Sequence, residues 1–529
     1  MVACLSSRRR HAAPLLLLAL AATPGPASAA ALALADVVRQ GLSQNPGIRV
    51  EEQQIEVARA QQQQTGGQFD WVLSSALNYK KMLTPLPPSS SRAQTTAFSS
   101  GYQIGLSKQL RNGIVVGGNL NARAAETDLP PLIPQQNVLG LDLTLALPLL
   151  RGSGAETVRA GEDVAKLNVL RSRYELRSRV AQTVYRVVLA YWDYRAQVAL
   201  RNVAQESEQR SQNLLASYQR LVDAAEKPRA DLVLLKADLA DKAAALDAAA
   251  LALSESRKTL GRLLALDLQA SNQLPEPGDP FPAVSDALPS LPAQRQTLGA
   301  AALARRPDVA ALALQREASR RQLQGAVKKN QAQLDLNVGV TYGKASEHGS
   351  RFGFIQEAGR TQSAPSLFAS LNYQFPIGNN LATGEFRELS ALAAKLEIQQ
   401  RDLQEEVAAG VDSAAQQLSR SAAQLQIAGD ALALYKIAVS QEIAKQRNGI
   451  ATLIDVINIE GRFVSAQVNF LRLQLAYSNA LARLRFETGT MFRHEELSET
   501  STDHLTLELD NLVGLGSLLN SGNYSHPID

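Results

Sequence analysis

Residues that could bind a metal, attack a substrate or hold a phosphate are few in this 529-residue chain, and their spacing suits none of these tasks. The five histidines are His11, His348, His494, His504 and His526. No two of them have metal-ligand spacing on one predicted helix or strand. Gly152-Ser153-Gly154 opens a predicted helix without the rest of a phosphate-binding or dinucleotide-binding fingerprint. We therefore expect no enzyme activity, no cofactor and no metal site.

The first 29 residues have the three-part layout of a secretory signal peptide. Arg8, Arg9 and Arg10 precede an apolar run too short to span a bilayer, and Ala27-Ser28-Ala29 offers a small-residue cleavage site. The only cysteine, Cys4, would leave with this segment, which excludes disulfides and a cysteine nucleophile from the mature chain. Loss of the three arginines also lowers the formal net charge of +4 by three units, so nucleic-acid binding is not indicated.

The rest of the sequence contains the same order of elements twice, which indicates an internal duplication. The predicted segments are a signal peptide at 1–29, a first repeat at 30–273, a proline-rich linker at 274–292, a second repeat at 293–492 and a polar tail at 493–529. Each repeat starts with a helical stretch that carries a proline dipeptide, Asn45-Pro46 in the first and Arg306-Pro307 in the second. Strands and then two long helices follow in each repeat.

Regular alternation of apolar and polar residues predicts strands, and a composition rich in Ala, Leu, Gln, Arg and Glu favours long helices. The predicted strands are 69–80, 101–110, 114–122, 138–147, 334–343 and 367–375. The predicted long helices are 155–222, 229–266, 383–447 and 451–488. Asn112-Gly113 between two strands is a hairpin signal. Strand-to-helix junctions are expected at Pro148 with Gly152 and at Pro376 with Gly378, because proline has no N–H to donate to a ladder.

The predicted strands are the candidates for crossing a membrane. No stretch after the signal approaches the roughly 20 apolar residues of a membrane-spanning helix. Strand alternation alone also suits a periplasmic sheet packed on helices, which is the alternative. Long polar segments at 82–100 and 344–365 favour a membrane barrel, since such barrels place long loops outside the cell. Four to six strands cannot close a barrel, which needs at least about eight, so a membrane-spanning form must be an oligomer.

The order and spacing of these segments resemble TolC-family outer-membrane efflux proteins over about residues 34–490. The features that carry the resemblance are the two proline dipeptides, the run 147–154, Ala190-Tyr191-Trp192-Asp193 and the segment 449–455. The resemblance implies a fold that is mainly α with transmembrane β: a homotrimer whose strands form one outer-membrane β-barrel, continued by a long periplasmic α-helical coiled-coil barrel.

The resemblance also implies a function. Such a protein is a passive exit duct of a tripartite efflux or type I secretion system in the outer membrane of a Gram-negative bacterium. Its partners are a periplasmic adaptor (membrane fusion) protein and an inner-membrane pump, with no nucleic acid. The extra hairpin of the first repeat leaves twelve or eighteen strands in the trimer, and we favour eighteen. The competing function is that of a structural or adhesive coiled-coil envelope protein without channel activity.

In similar proteins a periplasmic gate lies at the turn between the last two helices, where two acidic residues three positions apart face the axis. The matching residues here are Asp455 and Asn458. Three copies of Asp455 would repel one another, which would raise the pKa of this carboxyl and attract cations. The alternative is that Asp455 only complements the helix dipole.

Adaptor docking is expected at the tips of the two helical hairpins. The tip residues are Gly449, Ile450, Ala451 and Thr452 in the second repeat and Asp231 in the first. The first tip lacks the glycine and contains Pro228, and we expect it to be a few residues longer before Asp231.

Overall fold

The structure is a computed structural model that describes residues 31–88, 90, 94–127, 136–285, 288, 291–346 and 363–491. The predicted signal peptide, the polar tail and all five histidines lie outside these residues. The helices are α1 (Leu34–Gln44), α2 (Pro46–Gly66), α3 (Ala155–Asp223), α4 (Arg229–Leu263), α5 (Leu268–Asn272), α6 (Leu291–Arg305), α7 (Pro307–Lys329), α8 (Asn380–Arg447) and α9 (Leu453–Glu487). The strands are β1 (Val72–Pro85), β2 (Gln94–Gln109), β3 (Val115–Thr127), β4 (Gln136–Pro148), β5 (Gln333–Ser346) and β6 (Ser363–Gln374).

Apart from the five-residue α5, the described helices of the two repeats correspond one to one. The long helices α3 and α8 have 69 and 68 residues, so each is about 100 Å long at ~1.5 Å per residue. Each is paired along one half with a helix that precedes the strands, α2 or α7, and along the other half with a 35-residue return helix, α4 or α9. Contacts between α3 and α7 and between α3 and α9 join the two repeats. Four helices therefore lie side by side at each level of the helical part.

The proline dipeptides break the helical run before the strands at equivalent places. Pro46 and Pro307 are the first residues of α2 and α7, where the missing N–H costs no helical hydrogen bond. The residue before each proline is tied to the end of a return helix. The Asn45 Nδ2 donates to the carbonyl oxygen of Leu263 at 3.2 Å, and an Arg306 guanidinium nitrogen donates to Glu487 at 2.7 Å. The contact between the residue before the proline and the end of the return helix is thus made by an amide in one repeat and by an ion pair in the other.

The segment predicted as a linker is packed against the helices. Residues 31–33 and 274–285, which we call the belt, run together through a parallel bridge between Leu32 and Pro277. The hydroxyl of Tyr191, at the middle of α3, donates to Asp279 Oδ2 at 2.7 Å. The hydroxyl of Tyr477 on α9 donates to the carbonyl oxygen of Ala283 at 3.3 Å. The belt therefore touches a long helix of the first repeat and the return helix of the second.

The six strands form one antiparallel sheet in the order β1-β2-β3-β4-β5-β6. The strands are longer than the sequence predicts at their outer ends, since β1 reaches Pro85 and β2 begins at Gln94. Most of the segment 82–100 is therefore strand and not loop, which corrects the sequence prediction. Phe69 is also not part of β1. It lies in a 3₁₀ turn at Gly67–Phe69 and is buried under the Arg111 guanidinium, which is 4.9 Å from its ring centre.

Most apolar side chains of the sheet point to one face and remain exposed. Leu73 on β1 is 72% exposed, Leu143 on β4 is 54% exposed and Leu371 on β6 is 62% exposed. Within the described residues, the one helical element that makes more than slight contact with the sheet is the 3₁₀ turn at Gly67–Phe69. The alternative of a sheet packed on helices is therefore wrong. In the described part of the chain, no helix combines the length and apolar character needed to cross a bilayer.

Candidate functional site

The other face of the sheet carries a polar band that crosses all six strands. One row across the sheet consists of Ser74, Gly105, Asn119, Asp142, Thr341 and Ser366. In the next row, the Asn121 Nδ2 donates to Asp142 Oδ2 at 2.6 Å. Because side chains alternate along each strand, this polar face and the exposed apolar face are opposite sides of one wall. Such a wall can separate lipid from a water-filled space.

Two glycines on the polar face make room for larger neighbours. A Cβ atom at Gly105 would lie 2.3 Å from the Asn119 Oδ1, and one at Gly339 would lie 2.4 Å from the ring of Phe368. The polar face therefore holds its amide and aromatic side chains flat against the backbone of the next strand.

The predicted Arg111-Asn112-Gly113 hairpin joins the sheet to the helices. The Leu110 N–H donates to the Ile114 carbonyl at 2.7 Å and closes the turn, and Gly113 has a φ of +97°. A side chain at Gly113 would collide with the carbonyl oxygen of Gly152, so the turn packs directly on the first strand-to-helix junction. Arg111 completes the contact through an ion pair with Glu162 on α3, with its Nε 3.1 Å from Glu162 Oε2. Hydrogen bonding from Arg111 holds the pKa of the Glu162 carboxyl below its ordinary value.

The two predicted strand-to-helix junctions are held by the end of α7. Pro148 ends β4, and Gly152 adopts a φ of +81° before α3 begins. The Lys328 Nζ donates to the Ser153 carbonyl at 3.3 Å in this first junction.

In the second junction, Pro376 and Gly378 form the turn before α8, and Gly378 has a φ of +89°. The following residue, Asn379, donates from its Nδ2 to the Asn330 side-chain oxygen at 2.7 Å. The sequence pattern located both junctions. It gave no sign of Lys328 and Asn330, because their partners are distant in the chain.

The two hairpin tips have the same length and the same backbone turn. Each long helix ends with a residue of positive φ, Gly449 at +74° in the second repeat and Ala225 at +57° in the first. The next N–H bonds back to the long helix in both, from Ile450 to the Lys445 carbonyl at 2.9 Å and from Glu226 to the Leu221 carbonyl at 2.8 Å. This is the Schellman arrangement of a helix end.

The expectation of a longer first tip is therefore wrong. Six positions separate Ala225 from Asp231, as they separate Gly449 from Asp455. Ala225 occupies the position that corresponds to Gly449 and adopts a left-handed backbone there. Because the first tip has no glycine, the equivalence of the two tips was not evident from the sequence. Pro228 takes the N-cap position that Thr452 occupies in the second tip.

The two tips pack against each other. Leu453 of the second tip joins a buried cluster with Tyr218, Leu232 and Leu235 of the first. The Gln446 Nε2 donates to the Tyr218 hydroxyl at 2.6 Å. Ile450 and Ala451, in contrast, lie on the connecting turn, where Ile450 is 76% exposed.

Asp455 and Asn458 lie one turn apart on α9, and both side chains are exposed. Asp455 forms a capping box with Thr452: Asp455 Oδ2 accepts the Thr452 N–H at 2.9 Å, and the Asp455 N–H donates to Thr452 Oγ1 at 3.3 Å. These hydrogen bonds from Thr452 hold the pKa of the Asp455 carboxyl below its ordinary value. In a single chain Asp455 therefore acts as a helix cap. Asp231 occupies the same third position of α4.

Among the described residues, no group of three or more His, Cys, Asp or Glu side chains is arranged to hold a metal ion. The polar groups of the molecule are instead spread along the wall of the sheet and at the helix ends. This arrangement suits the passage of solutes along the sheet and the binding of another protein at the helix ends.

Comparison with known proteins is consistent with this geometry. Residues 298–490 match the family described as outer membrane efflux protein. A search among curated proteins gives no match.

Solved structures share the fold at low sequence identity. A membrane protein from Pseudomonas aeruginosa has a TM-score of 0.65 and 16% identity, covering 86% of this chain and 92% of its own. The outer membrane protein VceC from Vibrio cholerae has a TM-score of 0.63 and 13% identity, covering 86% and 96%. The open-state MtrE outer membrane channel of Neisseria gonorrhoeae has a TM-score of 0.60 and 15% identity, covering 86% and 88%.

The predicted resemblance and fold class are thereby confirmed: residues 298–490 match the outer membrane efflux protein family, and the chain has the fold of solved outer-membrane channels.

Proposed function

We propose that this protein is the outer-membrane exit duct of a tripartite efflux or type I secretion system. Three copies form one channel, with the sheets in the outer membrane of a Gram-negative bacterium and the helices in the periplasm. Substrates enter from an inner-membrane pump and pass through without chemical change.

The observation that carries this proposal is the two-sided sheet. Its apolar face is exposed over its whole width and has no helix on it within the described residues, which a water-soluble protein of this kind would not tolerate. Its polar face offers serine, threonine, asparagine and aspartate side chains to water. The structural adhesive or scaffold function explains the long helices but not this sheet.

The helical tips supply the docking surface for a periplasmic adaptor. Exposed aliphatic side chains cluster there: Val233 and Leu234 on the first tip, and Ile450 and Ile454 on the second. Apolar side chains concentrated at the far end of a long helical hairpin favour binding to another protein. The two tips differ in these residues, so they offer the adaptor two distinct surfaces.

Asp455 and Asn458 are the proposed gate, where three copies approach the axis. The capping box fixes the Asp455 carboxylate at the first turn of α9, so its charge is held close to the tip. Asn458 adds no charge, which predicts weaker cation preference than two acidic rings would give.

The test compares two neighbouring residues on opposite faces of β4. Leu143→Arg places a charge on the apolar face, at a cost of about 2–4 kcal/mol near the middle of a bilayer. Thr144→Arg places the same charge on the polar face, where it changes ion selectivity and leaves assembly intact. We expect the wild type and Thr144→Arg to be recovered as detergent-solubilised outer-membrane trimers that conduct ions in planar bilayers. Leu143→Arg should fail to assemble.

Two results would contradict the proposal. One is a water-soluble wild type without channel activity, as a scaffold would be. The other is equal behaviour of Leu143→Arg and Thr144→Arg, because then neither face would be in contact with lipid.

A further inference from the structure

The two edge strands of the sheet carry long stretches without any device that prevents strand pairing. Residues 72–79 of β1 and 366–374 of β6 contain no proline and no charged side chain. Each strand pairs on one side only within the described residues. Natural sheets protect exposed edges with charges, prolines or bulges, and in these two strands such residues appear only further out, at Lys80, Lys81, Pro85 and Pro365. The unprotected stretches span about 20–25 Å of height, which matches the apolar band of a membrane barrel.

The two edge strands also run in the directions needed for β6 of one copy to pair with β1 of another. The sheet is antiparallel throughout and has an even number of strands, so β1 and β6 run in opposite directions. Both start or end at the level of the helices: β1 follows the turn at Gly67–Phe69, and β6 ends shortly before α8. β6 of one copy beside β1 of the next therefore continues the antiparallel pattern with both faces in register.

The stagger of the strands gives their tilt. Following paired residues across the sheet, Val72 at the base of β1 is level with Phe368, which lies six positions above Gln374 at the base of β6. Six residues correspond to about 20 Å along a strand, and five strand spacings to about 24 Å across the sheet. The ratio gives a tilt of about 40°, within the range of closed barrels.

The width of the sheet matches the width of the helical layer beneath it. Six strands at this tilt occupy an arc of about 38 Å. The four helices that lie side by side occupy about 32–40 Å at their usual interaxial distance. Four strands would occupy only about 25 Å at the same tilt and would leave the barrel narrower than the helices that support it.

We propose that all six strands of each copy enter the barrel wall, with β6 of one copy paired to β1 of the next. This pairing rests on the trimeric duct proposed above, and it gives an eighteen-stranded barrel with a backbone diameter of about 36 Å. The β1–β2 hairpin is part of the wall and not an appendage outside it. The other copies of this chain are the occupants of the two free edges.

Disulfide cross-linking tests the pairing in a chain whose only natural cysteine is Cys4 in the signal peptide. Continuing the stagger into the next copy brings Asn372 of β6 opposite Ser74 or Ala76 of the neighbouring β1, on the polar face that oxidants reach. Opposed residues in antiparallel strands lie within disulfide reach. We expect Ser74→Cys/Asn372→Cys or Ala76→Cys/Asn372→Cys to form dimers and trimers on non-reducing gels, and the single variants to stay monomeric.

The control double variant Asn119→Cys/Asn372→Cys tests the alternative in which β6 of one copy pairs with β3 of the next. That pairing would leave β1 and β2 outside the barrel wall. Cross-links in this pair, or none in any pair while the trimer still conducts ions, would overturn the inference and leave the proposed duct standing. A strand count by cryo-electron microscopy of the wild-type trimer decides the same point without substitutions: twelve strands would overturn it. Loss of trimer and conductance in the wild type would instead refute the proposed function.

Discussion

The difference between the two hairpin tips predicts opposite effects of two mirror-image substitutions. Gly449→Ala places a methyl group on a backbone with a φ of +74°, and Ala225→Gly removes one from a φ of +57°. A Cβ atom at Gly449 would have no heavy atom within 4 Å apart from those of Gly449 itself and its two chain neighbours. The effect of Gly449→Ala is therefore backbone strain alone, without a steric collision.

The expected size follows from two opposing terms. A left-handed conformation costs a residue with a Cβ atom roughly 1–2 kcal/mol. The greater freedom of glycine in the unfolded chain offsets this by about 0.4–1 kcal/mol. We therefore expect Gly449→Ala to destabilise its tip by about 1 kcal/mol, and Ala225→Gly to stabilise its tip by about 0.5–1 kcal/mol.

Hydrogen exchange with mass spectrometry measures the local stability of each tip in the detergent-solubilised protein. The amides of Ile450 and Glu226 close the two turns, so tip opening exposes them. One kcal/mol is a factor of about five in the opening equilibrium, so exchange at Ile450 should be about five times faster in Gly449→Ala. Exchange at Glu226 should be about two to five times slower in Ala225→Gly.

Gly461→Ala is the control, because Gly461 lies inside α9 and a Cβ atom there also meets open space. It makes the same chemical change without the positive φ and should leave exchange at Ile450 unchanged. Unchanged exchange in Gly449→Ala together with faster exchange in Ala225→Gly would refute the assignment of strain to Ala225.

Three further predictions concern charge. Asp455→Asn keeps an acceptor for the Thr452 N–H but removes the charge, so the cation preference in planar bilayers should fall; an unchanged reversal potential would contradict the gate. Arg306→Met leaves the partly buried Glu487 carboxylate with only the more distant Arg483, at 3.9 Å, and should lower the unfolding free energy by about 2–3 kcal/mol, whereas Arg401→Met on the exposed helix surface should change it by less than about 0.5 kcal/mol. Because the pKa of Glu162 is lowered in the folded chain, its ion pair contributes fully above the ordinary carboxyl pKa and is lost as pH falls below it, so the difference in melting temperature between wild type and Arg111→Gln should shrink as the pH falls below the ordinary carboxyl pKa; a constant difference would contradict this.

Local patterns predicted most of the architecture. Alternation such as that of the five leucines from Leu139 to Leu147 is enough to define a strand, and proline with glycine marked both junctions because these residues act on their own backbone. The capping position of Asp455 was also accessible, since a threonine three residues before an acidic residue is a helix-start signal. The sequence left open whether this carboxylate serves as cap or gate.

The features that sequence reasoning missed depend on contacts between distant segments. Phe69 continues the alternation of β1, yet it turns inward because Arg111 and the helices offer it a buried position. The length of the first tip was misjudged because Ala225 adopts a conformation that its residue type disfavours. The proline-rich segment looked like a free linker, and its packing depends on Tyr191 and Tyr477, which are far away in the chain.

The belt divides the helical part into two mechanical sections. Above it, α2 and α7 are continuous with the sheet, and below it α3 continues from Tyr191 to Asp223 for about 50 Å. A rotation of the lower helices by only 10° about this level would displace the tips by about 8 Å. In the proposed trimer, a displacement of this size would widen the entrance by nearly the diameter of a helix at each copy.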